Sequence, residues 1–495
     1  PGRTDDGPGG DTSDCDRRSA EVKGRDEELP LNLPRPLVPP EIAARGHSVG
    51  KIPFGFGPRF FVLLLLGFVW LVPAWWVPRF VVAMMLWDLI ALVAFGIDLA
   101  RLPKPAELEV KRGWEHAPSL ATKSEVALTI RNFGSVGARC VVVDETPGSL
   151  RREPPSLSLV APPRQEGRMK YQIIPRERGD VRLGRAFVRY QSALGFAERW
   201  AAVEIAQTVR VLPDLEQARQ QALYLIRSRQ VEMEKRRRRQ RGQGREFESL
   251  RDYRQGDELR DVCWTATARR HQLTTRIFEI EKSQAVWIVL DAGRLLRAEV
   301  QEKAKNVPLA KLDYAVNAAL SLAQVATQCG DRVGLLAYGR GIQQNLGTGR
   351  GPAHLRSIVD SLAQVKGEAG EANHARAVRA LLMEQSRRSL VVWITDFAET
   401  PTTPEVIEYA MQMTQRHLVV FTAISQPDLA MLAEAAPRTE EEMYRHAAAL
   451  EIANRREVLL RGLRQRGVLA FELIPGLLAS SIVNQYLDIK ERNLL

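Results

Sequence analysis

The sequence predicts a multidomain chain: a transmembrane helical hairpin, a β-sandwich module and a doubly wound α/β domain at the C-terminal end. Three patterns predict it. Two apolar runs, 60–78 and 80–97, stand side by side with Asp88 as their only charge. From about 105 to 212, short stretches alternate apolar and polar residues and are separated by Gly or Pro, the mark of antiparallel strands. Beyond 284, apolar strands alternate with amphipathic helices, which predicts a mostly parallel sheet covered on both faces.

A chain of 495 residues exceeds one ordinary core, so two or three domains are expected. The net charge of +11 suggests an anionic partner: a lipid surface, nucleic acid or an acidic protein face. Cys15, Cys140, Cys263 and Cys329 lie far apart with no CxxC or CxxH spacing. That argues against a zinc site or a disulfide scaffold and fits a reducing compartment.

Residues 1–58 are rich in Gly, Pro, Asp and Arg without an apolar period, and read as a disordered cytoplasmic tail. Residues 59–100 read as a two-helix transmembrane hairpin, each run long enough to cross most of a hydrocarbon core of about 30 Å. Pro78 and Arg79 separate the runs, with Trp75 and Trp76 at the tip, in the interface. Lys51 and Arg59 before the hairpin, and Arg101 and Lys104 after it, place both termini in the cytoplasm by the positive-inside rule. Asp88, mid-span, reads as a helix–helix contact, because an ionisable group in hydrocarbon is costly unless paired.

The β-sandwich is expected over 105–212, in stretches such as "SEVALTIRN", "ARCVVVDE" and "GDVRLGRAFVRYQS". No titratable cluster suited to catalysis appears in it, so its role is structural or interactive. Residues 213–283 form a helical basic connector and a signature segment. In the connector Leu215, Ala218, Ala222, Leu225 and Ile226 fall at helical spacing and lead into "KRRRRQR" (235–241). No aromatic residue interleaves with those arginines, as stacking on nucleic acid would need. Attraction to anionic lipid is the simpler use, at about 1 kcal/mol per basic residue near the surface.

The most specific stretch is "GREFESLRDYRQGDELRDVCWTATARRHQLTTRIFEIEKSQAVWIVLDAG" (244–293). Gly256 and Asp257 make a turn, Gly supplying a positive φ and Asp bonding the backbone. Arg251, Arg260 and Arg269 can form bidentate pairs with Glu248, Asp252, Asp257 or Asp261, with Trp264 as the apolar anchor of the lattice. The segment reads either as a rigid clasp or as a docking surface for a partner. Its Phe247, Leu250, Arg251, Tyr253, Gly256, Asp257, Arg260, Trp264, Ala268 and Arg269 stand at fixed spacings. Those spacings closely resemble the signature of the family called domain of unknown function 58. The resemblance extends to the two spans, to "PRERGDVRLG" (175–184) and to the C-terminal region. It implies that 284–495 is a von Willebrand factor A-like α/β domain.

Two aspartates, Asp291 and Asp396, follow the apolar strands "AVWIVL" and "SLVVWIT". Ligands of doubly wound sheets bind at such strand ends. The von Willebrand A-type site that the resemblance implies holds Mg²⁺ or Mn²⁺ with two serine hydroxyls, a threonine hydroxyl and two aspartates. Here Gly293 and Leu295 stand at the serine positions, and Ala372 is the nearest counterpart of the threonine. Glu371 and His374 are the remaining nearby ligand types. A remnant site is therefore expected at Asp291 and Asp396, with no bound metal and no cofactor; Mg²⁺ or Mn²⁺ is the alternative.

No nucleophile–base pair, Walker motif or dinucleotide fingerprint is recognisable, and "GTGRG" (347–351) lacks the Lys-Ser/Thr of a P-loop. The chain is thus read as a non-enzymatic adaptor with two spans in a bacterial cytoplasmic membrane. By resemblance its partner is a MoxR-type AAA+ ATPase that acts in assembly or maturation of protein complexes. Membrane lipids are the second partner, and no nucleic acid is expected. One rival is a metal-dependent phosphoesterase or nuclease using Glu246, Asp252, Asp257, Asp261, Glu279 and Glu281, against which the interspersed arginines compete. The other is an anionic-lipid or nucleic-acid binder working through 235–241.

Overall fold

The computed structural model describes residues 38–50, 54–214, 246–254, 262–279, 284–300, 308–397, 403–492 and 494. All of them fall within one compact unit. The connector 215–245 with its basic run lies outside the described residues, as do Gly256, Asp257, Arg260, Asp261 and Glu281.

The β-rich module begins earlier than the sequence suggests. Strands β1 (Ile42–Ser48) and β2 (Phe54–Phe56) occupy part of the expected tail and pair into the module. The helical hairpin is inserted after them, as α1 (Pro58–Gly67), a 3-10 turn (Phe68–Trp70), α2 (Leu71–Ala74) and α3 (Phe80–Arg101). Nine strands follow: β3 (Leu108–Trp114), β4 (Ser124–Asn132), β5 (Ala138–Asp144), β6 (Ser156–Ala161), β7 (Glu166–Ile173), β8 (Gly179–Leu183), β9 (Ala186–Gln191), β10 (Ala197–Val203) and β11 (Gln207–Val211). All pairings are antiparallel, in the order β6-β5-β9-β10-β1-β3-β4-β7, with β2 added on β10 and β8 paired with β11.

β1 turns the corner between the two halves of the expected sandwich: Ile42–Arg45 pair with β3, and Gly46–Ser48 pair with β10. At the opposite side, β6 and β7 close together. A Cβ on Gly167 would lie 2.3 Å from the Val160 carbonyl oxygen, so only glycine lets these backbones touch. The sheet is thus nearly a barrel. Alternate residues such as Leu108, Val110, Val126, Leu128 and Val142 fill its interior. Inside it the fully buried Arg112 bonds Asp144, which also accepts from Tyr171 Oη at 2.7 Å.

Of the two expected spans, one helix, α3, is long and apolar enough to cross a membrane. The first apolar run is helical but interrupted at Phe68–Trp70 and ends at Ala74. Pro73 supplies no N–H to the helix ladder there. The two arms pack closely. A Cβ on Gly67 would meet Asp88 Oδ1 and Trp87 Cδ1, each at 2.8 Å, and Trp87 Nε1 donates to Leu63 O at 2.9 Å. Asp88 therefore does sit at a helix–helix contact. Trp75 and Trp76 are exposed at the tip.

β12 (Glu246–Asp252), α4 (Trp264–Arg270) and β13 (Thr274–Glu279) form a small hairpin unit carrying the signature segment. The α/β domain follows with β14 (Ala285–Asp291), β15 (Glu299–Val300), β16 (Leu309–Ala310), α5 (Lys311–Gln328), β17 (Arg332–Tyr338), β18 (Ile342–Gly349), α6 (Gly351–Gln364), α7 (His374–Glu384) and β19 (Leu390–Thr395). It is completed by α8 (Thr403–Thr414), β20 (Leu418–Ile424), α9 (Pro427–Glu434), α10 (Glu440–Gln465), β21 (Leu469–Leu473) and α11 (Leu478–Glu491). The sheet order is β18-β17-β14-β19-β20-β21, parallel except for the edge strand β18. This is the doubly wound order, and the central strands are buried along their whole length. The two modules meet where Arg178, just before β8, bonds Asp313 of α5 at 2.6 Å and Leu362 O of α6 at 3.0 Å.

Candidate functional site

β14 and β19 are adjacent and parallel, so the residues at their carboxyl ends, Asp291 and Asp396, come side by side as the sequence predicts. Both are buried. Asp291 Oδ1 accepts from the Gly293 N–H at 2.7 Å, and Oδ2 accepts from the Thr395 hydroxyl at 2.6 Å. Burial pushes the Asp291 carboxyl up to about 6; the Thr395 and Gly293 bonds oppose that shift, and the Asp396 charge adds to it.

Asp396 is held by cations of the protein itself. Its Oδ2 accepts from Lys311 Nζ at 2.7 Å; its Oδ1 accepts from Arg456 Nη1 and from the Phe397 N–H, each at 2.8 Å. Lys311, the first residue of α5, is 1% exposed. Arg456, on α10, also donates to Phe397 O, Ile424 O and Glu472 Oε1. Burial alone would lower its pKa, but Asp396 and Glu472 raise it. Two buried cations thus share one carboxylate.

At the first of the serine positions the neighbouring loop is tight. A Cβ on Gly293 would stand 3.0 Å from Ala372 Cβ and 3.1 Å from Asp291 Oδ1. Gly293 and Ala372 are therefore neighbours, as the resemblance implies, but packed against each other with no side-chain oxygen between. Glu371 is drawn to Arg294 at 3.2 Å. The His374 ring lies beside Tyr338, whose hydroxyl is 3.0 Å from Nδ1 and accepts from Trp393 Nε1 at 2.7 Å. Burial lowers the His374 pKa to about 4, so the ring is neutral at physiological pH. Among the described residues no group of three or more His, Cys, Asp or Glu is placed to hold a metal ion. The arrangement does not fit Mg²⁺ or Mn²⁺: the four carboxylate oxygens are engaged by protein donors, and an ammonium lies against Asp396.

Sequence reasoning located Asp291, Asp396, Gly293 and Ala372 but missed Lys311, Arg456, Thr395 and Tyr338. The alternation of strand and helix carried the first set. Nothing local marks the second, whose members come from α5, α10 and the sheet interior.

In the signature unit the Tyr253 N–H donates to Leu273 O and the Cys263 N–H to Thr274 O, each at 2.8 Å, which ties α4 to the β12–β13 hairpin. Phe247 and Arg251 lie on β12, whose residues Glu246 and Asp252 pair in register with Glu279 and Thr274. Trp264, expected as an anchor, is 64% exposed and opens α4 instead of packing beneath it. Arg269 is also exposed. Trp264 and Arg269 therefore stand at the surface.

Residues 249–438 match a family model described as "Protein of unknown function DUF58". No curated protein matches the chain. Among solved structures it is similar to the conserved hypothetical protein BatB from Bacteroides thetaiotaomicron, at 15% identity and a TM-score of 0.26, over 42% of this chain and 99% of that one. It is similar to proximal thread matrix protein 1 of the mussel byssus, at 10% identity and a TM-score of 0.26, over 41% of this chain and 46% of that one. It is also similar to the vWF domain of the type V pili tip protein Mfa5 from Porphyromonas gingivalis, at 10% identity and a TM-score of 0.24, over 41% and 95%.

Proposed function

We propose that this chain is a non-enzymatic adaptor, anchored by its helical hairpin in a bacterial cytoplasmic membrane with both termini on the cytoplasmic side. It offers the α/β domain and the signature unit as a docking face for a partner protein. One observation carries the reading: the strand-end aspartates are closed off by Lys311, Arg456, Thr395 and Gly293. Groups held in this way are supports for a surface; they do not reach a substrate. The exposed Trp264 and Arg269 are of the residue types that dominate protein interfaces. The apolar helix α3 supports anchoring, and the interrupted first run supplies the second pass.

The partner class is a MoxR-type AAA+ ATPase acting in assembly or maturation of protein complexes, by the family resemblance of 244–293. The test is co-purification from gently solubilised membranes, with the ATPase identified by mass spectrometry. Trp264→Ala with Arg269→Ala should cut its recovery at least several-fold while the melting curve stays in place. Equal recovery with the double variant, or turnover of any phosphoester or nucleic acid, overturns the reading.

A further inference from the structure

We propose that the end of the β-module from which the hairpin leaves is itself seated in the headgroup layer, with Phe54, Phe56 and Leu194 in contact with lipid. This rests on the anchoring reading above. The hairpin is bolted to the module instead of hanging from a tether. α1 starts two residues after β2 ends, and the Gly57 N–H donates to Phe196 O at 2.7 Å. A Cβ on Gly57 would lie 2.2 Å from Gly195 O, so the helix start and the 192–196 loop touch directly. Arg59 Nη1 donates to Ala193 O at 2.8 Å and to Leu194 O at 3.1 Å. At the other arm Asp98 accepts from the Ser192 hydroxyl and from the Phe196 and Ala197 N–H groups, and Arg199 donates to Leu99 O. Phe60, Ala91 and Phe95 belong to the same buried core as the strands. Seven hydrogen bonds and a shared core join module and hairpin into one packed unit.

Length then fixes the height of the module. α3 shares the module's core from Ala91 onward, which leaves Phe80–Ile90 free of it. Those residues span about 16 Å, short of a hydrocarbon core of about 30 Å. For the arm to cross, the end of the module must come down into the interfacial layer. Its surface there is built for that. Phe54, Phe56 and Leu194 are 38%, 46% and 50% exposed, and Ile97 on the adjoining helix is 49% exposed. Phe56 stacks on Phe60 with ring centroids 4.7 Å apart and lies 4.6 Å from Phe95, so the apolar belt of the helices continues onto β2. Arg59 and Arg101, both exposed, flank this collar where phosphate headgroups would stand.

The test uses the full chain in nanodiscs of phosphatidylcholine and phosphatidylglycerol, with its native cysteines replaced. An NBD fluorophore is placed at Leu194→Cys, at Phe56→Cys and, as a control toward the opposite end of β9, at Phe187→Cys. Melting curves check that each variant is folded. Blue-shifted emission at 194 and 56, with quenching by nitroxide lipids several-fold stronger than at 187, is the expected result. Water-like emission at 194 and 56 in protein that resists alkaline carbonate extraction overturns this proposal and leaves anchoring intact. Release by carbonate overturns anchoring as well. Protection at 194 without quenching by nitroxide lipids means that protein, not lipid, covers the collar, and also overturns the proposal.

Discussion

The ammonium of Lys311 stands 2.7 Å from Asp396 Oδ2, with the Lys311 and Asp396 side chains 1% and 5% exposed. It lies against the aspartate that a divalent-ion site would use, and it brings one positive charge without any demand for octahedral oxygens. Asp396→Asn would leave Lys311 a buried cation without its carboxylate and Arg456 with Glu472 alone, at a cost of about 3–5 kcal/mol. Lys311→Met removes one cation and leaves Asp396 with Arg456 and the Phe397 N–H, so its cost should be smaller. The double variant should be more stable than the sum of the single losses, which a double-mutant cycle in urea measures. Millimolar Mn²⁺ should leave the wild-type melting temperature unchanged. A Mn²⁺-dependent rise that disappears in Asp396→Asn would show that the ion displaces Lys311.

Asp291 behaves in the opposite sense. Its carboxyl is raised from 3.8 to about 6 by burial, so the folded chain holds this proton more tightly than the unfolded chain does. The stability that this group contributes is fully present below pH 3.8 and is lost as pH rises through 6. Asp291→Asn keeps an acceptor for the Gly293 N–H and removes the buried charge. It should match or exceed wild-type stability at pH 7, with the difference between the two growing from pH 4 to pH 7. Unfolding free energies measured at several pH values decide the matter, and parallel curves for the two proteins would contradict the assignment.

The strand ends were legible in the sequence because an apolar strand buried on both faces has an unmistakable composition. "AVWIVLD" and "LVVWITD" each finish at an acid, and parallel pairing must bring those acids together. Lys311 was not legible. In "PLAKLDY" it reads as an ordinary solvated residue at a helix start, and only the packing of α5 against β14 carries it to Asp396. Arg456 is likewise one of many charges along the 26-residue α10. β1, "IAARGHS", has weak strand propensity by itself; it is a strand because β3 and β10 offer ladders on either side. For the first apolar run, composition indicated a span but could not show the interruption after Gly67. The signature motif located its unit on the chain, yet motif spacing says nothing of exposure, and Trp264 faces outward.

The contact between the modules yields a further prediction. Arg178 sits in "PRERGDVRLG", and its side chain is 4% exposed; its partner Asp313 is 11% exposed and also accepts the Ala310 N–H at 3.0 Å at the start of α5. The same turn of α5 carries Lys311, so the strand-end cluster and the module boundary are fixed by neighbouring residues of one helix. Arg178→Ala leaves Asp313 buried without its cation and Leu362 O without its donor. The loss should be about 3–5 kcal/mol, the range for breaking a buried pair. Arg178→Lys cannot bridge both acceptors with a planar fork and should recover only part of it. Arg210, 3.7 Å from Asp360 at the same boundary, is a control: both side chains are exposed, and Arg210→Ala should cost under about 1 kcal/mol. Calorimetry of the full chain should show the α/β domain melting ahead of the β-module in Arg178→Ala. An unchanged thermogram in that variant would mean that the modules are held together by something other than this pair.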